Sequence, residues 1–413
     1  MVAVAFVVDF IAVGFFFYSY GVFFKSIAAD LEGSRLGISM GISISNIVGA
    51  VLAPFIGRAV DRHPIKHIMI AGALLVSAGF ALMSQITAIW QYYLLLGTFM
   101  AAGMGMMGGL ASSKLVANWF VARRGTALGI ATMGVSLSGL VMPVVATWLV
   151  AEIGWRGGFG IYALGTIAVV VPLVAWLVVS RPEDVGLRPD GDSPAPDPTD
   201  PPAEIEVVWR TRDILRSRNL WVIAIPFGMT FSALSAILIH LVPYADDLGI
   251  PRYRSAWVLS VAAGTGVLGK LVFGWLVDRL DPRVAVWISF AAQMVGLLMI
   301  MQGGSYADLL GGAAVFGFGM GGVIPLQGAM TGTAFGRLSF GKVLGLMRPV
   351  QVPLHALGIP LAGWIHDSTG SYESAWRIFL GVYALASLLI FGLRAKPAAR
   401  AAPRASARET GLP

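Results

Sequence analysis

The chain has 413 residues and no cysteine, is 57% hydrophobic and only 12% charged, with a formal net charge of +7 and a mean hydropathy of +0.77. A soluble globular chain is roughly 45–50% apolar and about 25% charged, so a soluble domain is excluded, and recurrent apolar segments of about 18 residues or more mark a polytopic membrane protein. The missing cysteines exclude disulfides, thiol catalysis and cysteine-ligated metals.

The first apolar run, Val2 to Phe24, is too long for the core of a cleavable signal and reads as the first span. Eleven more follow, at about 37–59, 67–87, 89–112, 125–150, 157–180, 219–244, 255–277, 284–303, 306–332, 343–365 and 375–394. Connections are short except Arg181 to Arg218. That stretch, rich in Pro, Asp and Arg, lacks the apolar surface to fold alone and reads as a flexible linker. The expected fold is an all-α membrane protein with twelve transmembrane helices in two pseudo-symmetric six-helix halves. Residues 1–180 form the N-terminal half, 181–218 a cytoplasmic linker, 219–394 the C-terminal half and 395–413 a basic cytoplasmic tail.

Charge gives the orientation. With both termini in the cytoplasm, most of the 29 Lys and Arg fall on that side, among them Arg62, Lys66, Arg123, Arg124, Arg279, Arg283, Arg337, Lys342 and the tail. The basic balance thus reflects membrane topology, and a nucleic-acid partner is not expected. A cell inner (plasma) membrane is the expected location.

The halves repeat one another. Gly57-Arg-Ala-Val-Asp61-Arg62 returns as Gly274-Trp-Leu-Val-Asp278-Arg279, and Gly103-Met104-Gly105 returns as Gly319-Met320-Gly321. Trp155-Arg156 and Trp376-Arg377 follow in the same order. In duplicated transporters of this kind a substrate site lies near the bilayer midplane between the repeats.

These motifs resemble the major facilitator superfamily over nearly the whole chain. The Gly-x-x-x-Asp-Arg motif after the second span matches at Gly57, Asp61 and Arg62, then departs at His63-Pro64. Its looser copy is Gly274, Asp278 and Arg279. The resemblance implies that these residues form a cytoplasmic charge latch between helix ends.

Finer stretches are similar to the monocarboxylate-porter branch and its oxalate/formate-exchanger relatives. They are Ser19 to Phe24, Trp119-Phe120-x-x-Arg123-Arg124, His240 to Gly249 and Pro360 to Tyr372. Three departures stand out. The motif that usually opens the first helix is missing, as if the true start lay upstream. Tyr18 stands where animal members place a lysine. Gly266 and Lys270 stand where the branch carries an Asp and, four residues on, an Arg.

Ionisable groups inside spans default to function. Lys270 lies ~12 Å from the cytoplasmic end of its helix at about 1.5 Å per residue, placed to pair with a substrate carboxylate or with a backbone carbonyl or aspartate. Arg348, ~9 Å deep on the same measure, either offers a guanidinium that grips a carboxylate bidentately or snorkels to the cytoplasmic face. Asp9 is the carboxylate inside a span, either a proton carrier or the structural partner of Lys270 or Arg348. His240 and His355 are further proton-coupling candidates, while Tyr18, Tyr20, Asn46 and Gln327 are candidates for polar substrate contacts, and Asn118 is another. Lys114 is expected to snorkel to the cytoplasmic face.

The Gly-rich runs lack the Lys-Ser/Thr of a phosphate loop, so ATP binding is not expected. No metal, cofactor or nucleophile constellation is present, and the chain is not read as an enzyme. The expected function is secondary active transport of a small mono- or dicarboxylate by alternating access, with proton symport or anion exchange. The alternative is proton-driven efflux of drug-like or other small molecules.

Overall fold

The computed structural model describes residues 1–32, 35–190 and 208–393. The described part is helical throughout and contains no strand. The helices are α1 (Val2–Val13), α2 (Tyr20–Asp30), α3 (Arg35–Arg62), α4 (Ile65–Met83), α5 (Ile89–Leu95), α6 (Ala101–Met107), α7 (Gly109–Trp119), α8 (Arg124–Gly165) and α9 (Val171–Leu177). After the linker come α10 (Thr211–Arg216), α11 (Arg218–Asp247), α12 (Arg252–Val277), α13 (Pro282–Gln302), α14 (Tyr306–Gly321), α15 (Val323–Phe335), α16 (Phe340–Thr369) and α17 (Glu373–Ile390).

Ten segments among the described residues are long and apolar enough to cross a bilayer. The longest, Arg124–Leu177, has 54 residues, or ~81 Å of helix, against a hydrocarbon core of about 30 Å. It is interrupted at Gly154, whose φ of 71° and ψ of 173° break the helix in the expected gap between 125–150 and 157–180. Only glycine adopts such angles without strain. α16 falls outside the ten; it carries Lys342, Arg348 and His355, and its interior holds Pro349, Pro353 and Pro360.

The apolar side chains gather into two large cores. One runs from Val4 to Val178 and the other from Ile214 to Leu393. A small third cluster joins Ala5, Val116, Ala127, Leu128 and Ala131.

Glycine governs the helix approaches. A Cβ on Gly319 would come 2.7 Å from the Ser289 carbonyl oxygen of α13, and one on Gly266 would come 3.2 Å from the Gly317 carbonyl oxygen of α14. The Gly-rich runs therefore let backbones touch, as small residues do at membrane helix interfaces. They also break helices: α6 gives way to α7 at Gly108, and α14 to α15 at Gly322.

The expected flexible linker is partly ordered. Pro182–Val185 forms a 3-10 turn and Thr211–Arg216 a short helix, and both ends dock on the helical body. Residues 191–207 of the expected linker and the expected basic tail lie outside the described residues.

Candidate functional site

Two carboxylates close the same end of the molecule by the same device. Asp61, in the last turn of α3, accepts hydrogen bonds from the backbone N–H groups of Gly341 (3.0 Å) and Lys342 (2.7 Å) at the start of α16. Asp278, just past α12, accepts from Gly125 (2.6 Å) and Thr126 (2.8 Å) at the start of α8. The first turn of a helix presents unpaired N–H donors and a positive dipole end, so an anion there is stabilised twice over. Glycine makes the approach possible. Gly57 packs on Gly341 and Gly345, and Gly125 packs on Gly274, backbone against backbone.

The arginines of the motif do not join this contact. Arg62 is exposed, and Arg279 lies 4.0 Å over the Trp275 ring of its own helix. The cation that Asp61 uses is Lys114, at 2.8 Å, and its ammonium also donates to the Arg337 carbonyl. Lys114 is 1% exposed. It does not snorkel, because a carboxylate and a carbonyl reach it where it is buried.

The linker reinforces this end. Glu183 pairs with Arg337 at 2.5 Å. Burial pushes the Glu183 carboxyl up, but the Arg337 hydrogen bond and charge, a backbone hydrogen bond and the nearby Arg181 outweigh it, and the group titrates below its ordinary range. Asp190 accepts from the N–H groups of Val121 (3.0 Å), Ala122 (2.8 Å) and Arg123 (3.2 Å) in the turn between α7 and α8. Asn118 donates to the Ser180 carbonyl at 2.8 Å. Trp209 donates its N–H to Ser339 and packs its ring 5.3 Å from Phe335.

Deeper between the halves, Lys270 of α12 is 6% exposed. Its ammonium donates to the Thr132 carbonyl (2.9 Å) and to Ser136 Oγ (2.5 Å), both on α8 of the other half. Asp9 of α1 is 2% exposed and acts electrostatically on Lys270, but no ion pair within 4.0 Å joins them.

The halves are bonded to one another at the Asp61/Asp278 end, by a series of hydrogen bonds and ion pairs that reaches inward to Lys270.

Arg348 lies six residues past Lys342 on α16. It is exposed, and among the described residues it has no hydrogen bond or ion pair. A guanidinium facing lipid is costly, so Arg348 calls for a counter-charge or water. His355, on the same helix face, is within electrostatic reach of Arg348 and shares a 2.7 Å hydrogen bond with Ser235 of α11. Tyr18 exposes 40% of its surface and lies against Gly139, where a Cβ would come 2.8 Å from the ring. Asn46 of α3 is exposed and makes no hydrogen bond among the described residues.

The remaining candidates are engaged elsewhere. The Tyr20 hydroxyl donates to the Ile38 carbonyl at 2.6 Å, fastening α2 to α3. His240 is satisfied on both nitrogens, by the Tyr372 hydroxyl and the Ile359 carbonyl, each at 3.1 Å. Gln327 is 8% exposed and sits 3.7 Å from the Met347 sulfur. Lys270 and Arg348 make no contact with each other. Ser112, Thr132, Ser136, Asp190 and the Glu183–Arg337 pair were not singled out by sequence, because neutral hydroxyls in spans and charges in a linker carry no periodic signal.

A family model described as Major Facilitator Superfamily matches residues 8–353. The chain is 26% identical over 376 residues to monocarboxylate transporter 13 of Rattus norvegicus, which covers 89% of this chain and 82% of the relative. It is 27% identical over 392 residues to monocarboxylate transporter 11 of Homo sapiens, covering 92% and 79%. Among solved structures it is similar to the transporter FucP in the outward conformation, with a TM-score of 0.68 and 15% identity over 95% of this chain and 98% of that one.

Proposed function

The chain belongs to the Major Facilitator Superfamily, and from that premise we propose that it carries a small organic anion, a mono- or dicarboxylate, across a cell's plasma (inner) membrane. The observation that carries this reading is Arg348. It is a fixed positive charge in the first third of α16, exposed and without a hydrogen bond or ion pair among the described residues. A carboxylate is the ligand that satisfies it, through two parallel N–H···O bonds. Relatives named as monocarboxylate transporters support the same class.

In this reading residues 1–180 and 219–394 are two halves that rock about the bound anion, joined by 181–218. Twelve passages follow if Arg124–Leu177 is divided at Gly154 and α16 is admitted as a span. The latch end is cytoplasmic, as are both termini and the basic tail 395–413. Arg348 binds the anion first, with Tyr18, Asn46 and His355 bordering the same cleft. Lys270 closes the floor and meets the anion only when the halves part. Coupling is by proton symport or by exchange for another anion. Efflux of cationic drugs fits less well, because the charged group open to the cleft is a cation and the buried acid, Asp9, is withdrawn from it.

Ligand binding to purified protein tests the substrate class without transport. Lactate, oxalate and succinate should raise the melting temperature while uncharged analogues do not, since a ligand at about 100 times its Kd adds about 2.7 kcal/mol. Arg348→Gln should abolish the carboxylate effect. Equal stabilisation of both proteins removes Arg348 from the site.

A further inference from the structure

The segment that leads from the linker into the C-terminal half, residues 208–218, reads Val-Trp-Arg-Thr-Arg-Asp-Ile-Leu-Arg-Ser-Arg. Its four arginines, Arg210, Arg212, Arg216 and Arg218, stand against one acid, Asp213. All four are exposed, and among the described residues none makes a hydrogen bond or ion pair. Like charges this close repel one another, so the cluster calls for an anion from outside the chain. Three exposed apolar side chains, Val208, Leu215 and Trp221, accompany it.

The fold fixes this segment at the start of a span. Arg210 and Ser217, at the two ends of α10, are extended, and α11 begins directly after at Arg218. The Trp221 indole N–H, from the first turn of α11, donates to the Leu215 carbonyl at 2.9 Å. Ile214 is buried in the C-terminal core, while Arg212 and Arg216, four residues apart, share the other side of the helix. Upstream, Trp209 donates its N–H to Ser339, and its carbonyl accepts from the Lys342 ammonium at 2.7 Å. Gly341 and Lys342 are the residues whose N–H groups hold Asp61, so the arginines lie at the Asp61/Asp278 end. Arg218 lies along the end of α17, its guanidinium 2.9 Å from the place of a Cβ on Gly392.

We propose that residues 208–218 and Trp221 form a binding site for an anionic phospholipid in the membrane leaflet at the Asp61/Asp278 end. A guanidinium grips phosphate oxygens through two parallel N–H···O bonds, and basic clusters beside a span bind acidic headgroups. Val208, Leu215 and Trp221 add apolar contact next to that charge, and tryptophan is a side chain that settles at headgroup level. A phospholipid presents phosphate and acyl chain side by side, whereas a soluble anion presents only the first. Because Trp209 and Leu215 are bonded to α16, the turn before it and α11, the site travels with the C-terminal half. It depends neither on the latch nor on what the protein carries.

Purified full-length protein in a neutral detergent, titrated with dioleoylphosphatidylglycerol or dioleoylphosphatidylcholine and read by native mass spectrometry, tests this. Phosphatidylglycerol should bind more tightly than phosphatidylcholine. Arg212→Gln combined with Arg216→Gln should weaken phosphatidylglycerol binding about 25-fold, at about fivefold per arginine, and leave phosphatidylcholine binding unchanged. Should the double variant fail to fold, each single variant serves, with a loss of about fivefold. Arg62→Gln combined with Arg279→Gln removes two other exposed charges from the same end and should change the binding by less than about twofold. Inorganic phosphate should not displace the lipid. Three results overturn the proposal: equal binding of the two lipids, an equal loss in both double variants, which makes the attraction one of diffuse charge, or full displacement by phosphate, which makes the occupant a soluble anion.

Discussion

Replacing Asp278 by alanine removes two charge-assisted bonds that exist only while the latch is closed. At 2.6 and 2.8 Å to Gly125 and Thr126, each such bond is worth about 1.5–3 kcal/mol. In the open arrangement water satisfies both the carboxylate and the helix N-terminus, so the loss falls on the closed state alone. Asp278 is half-buried, and water also reaches the freed N–H groups in the variant, which brings the expected net effect to ~3 kcal/mol. That is on the order of a 100-fold shift in the closed-to-open ratio. Spin labels at His63→Cys and Leu280→Cys, exposed positions at the Asp61/Asp278 end of the two halves, would report it as growth of the long-distance population, with Asp278→Asn intermediate, since an amide oxygen still accepts but carries no charge. A distribution unchanged in both variants would refute the idea that these bonds hold the halves together.

Lys114→Met leaves Asp61 with its two N–H donors but without its buried cation, and should lower thermal stability by roughly 3 kcal/mol in a melt of purified protein. Glu183 titrates below the ordinary carboxylate range, so its tie to Arg337 is present above that range and is lost only as pH falls through the depressed value. Between about pH 5 and 8, Glu183→Gln should therefore speed hydrogen exchange at residues 182–187 by a constant factor, and a factor that collapses within this window would argue against the pairing. Gly266→Asp, which restores the acid usual in the resembling branch, should destabilise by about 1–3 kcal/mol through overpacking, because its Cβ would meet Met320 Cε at 3.0 Å and the Gly317 carbonyl at 3.2 Å. A stable, proton-coupled Gly266→Asp variant would contradict that packing argument.

Much of the fold was legible because a bilayer imposes length. Runs such as Val2 to Phe24 and Pro282 to Gln302 declare themselves by composition, and Gly154 marks the break between two of them. The repeated Gly-x-x-x-Asp also announced that Asp61 and Asp278 do matching work. What it could not announce is the partner of each carboxylate. Those partners are backbone N–H groups at helix starts, which any residue supplies, so Gly341–Lys342 and Gly125–Thr126 leave no side-chain signature.

Lys270 shows the same limit. Its charge and depth were plain from sequence, but its bonds to Thr132 and Ser136 depend on how two halves meet. Tyr20 was a candidate for a polar substrate contact and His240 for proton coupling, and local hydrogen bonds engage both side chains. The linker's composition suggested freedom, while Asp190 and Glu183 dock its first residues onto the latch.

The central claim is that an anion meets Arg348 in the cleft. Purified protein in liposomes, loaded with unlabelled carboxylate and given labelled lactate or oxalate outside, measures that directly. The account predicts saturable counterflow in the wild type and its loss in Arg348→Gln, with the spin-label distances of the latch unchanged. Counterflow that persists at the wild-type rate in Arg348→Gln, or wild-type protein that moves none of these anions, would contradict it.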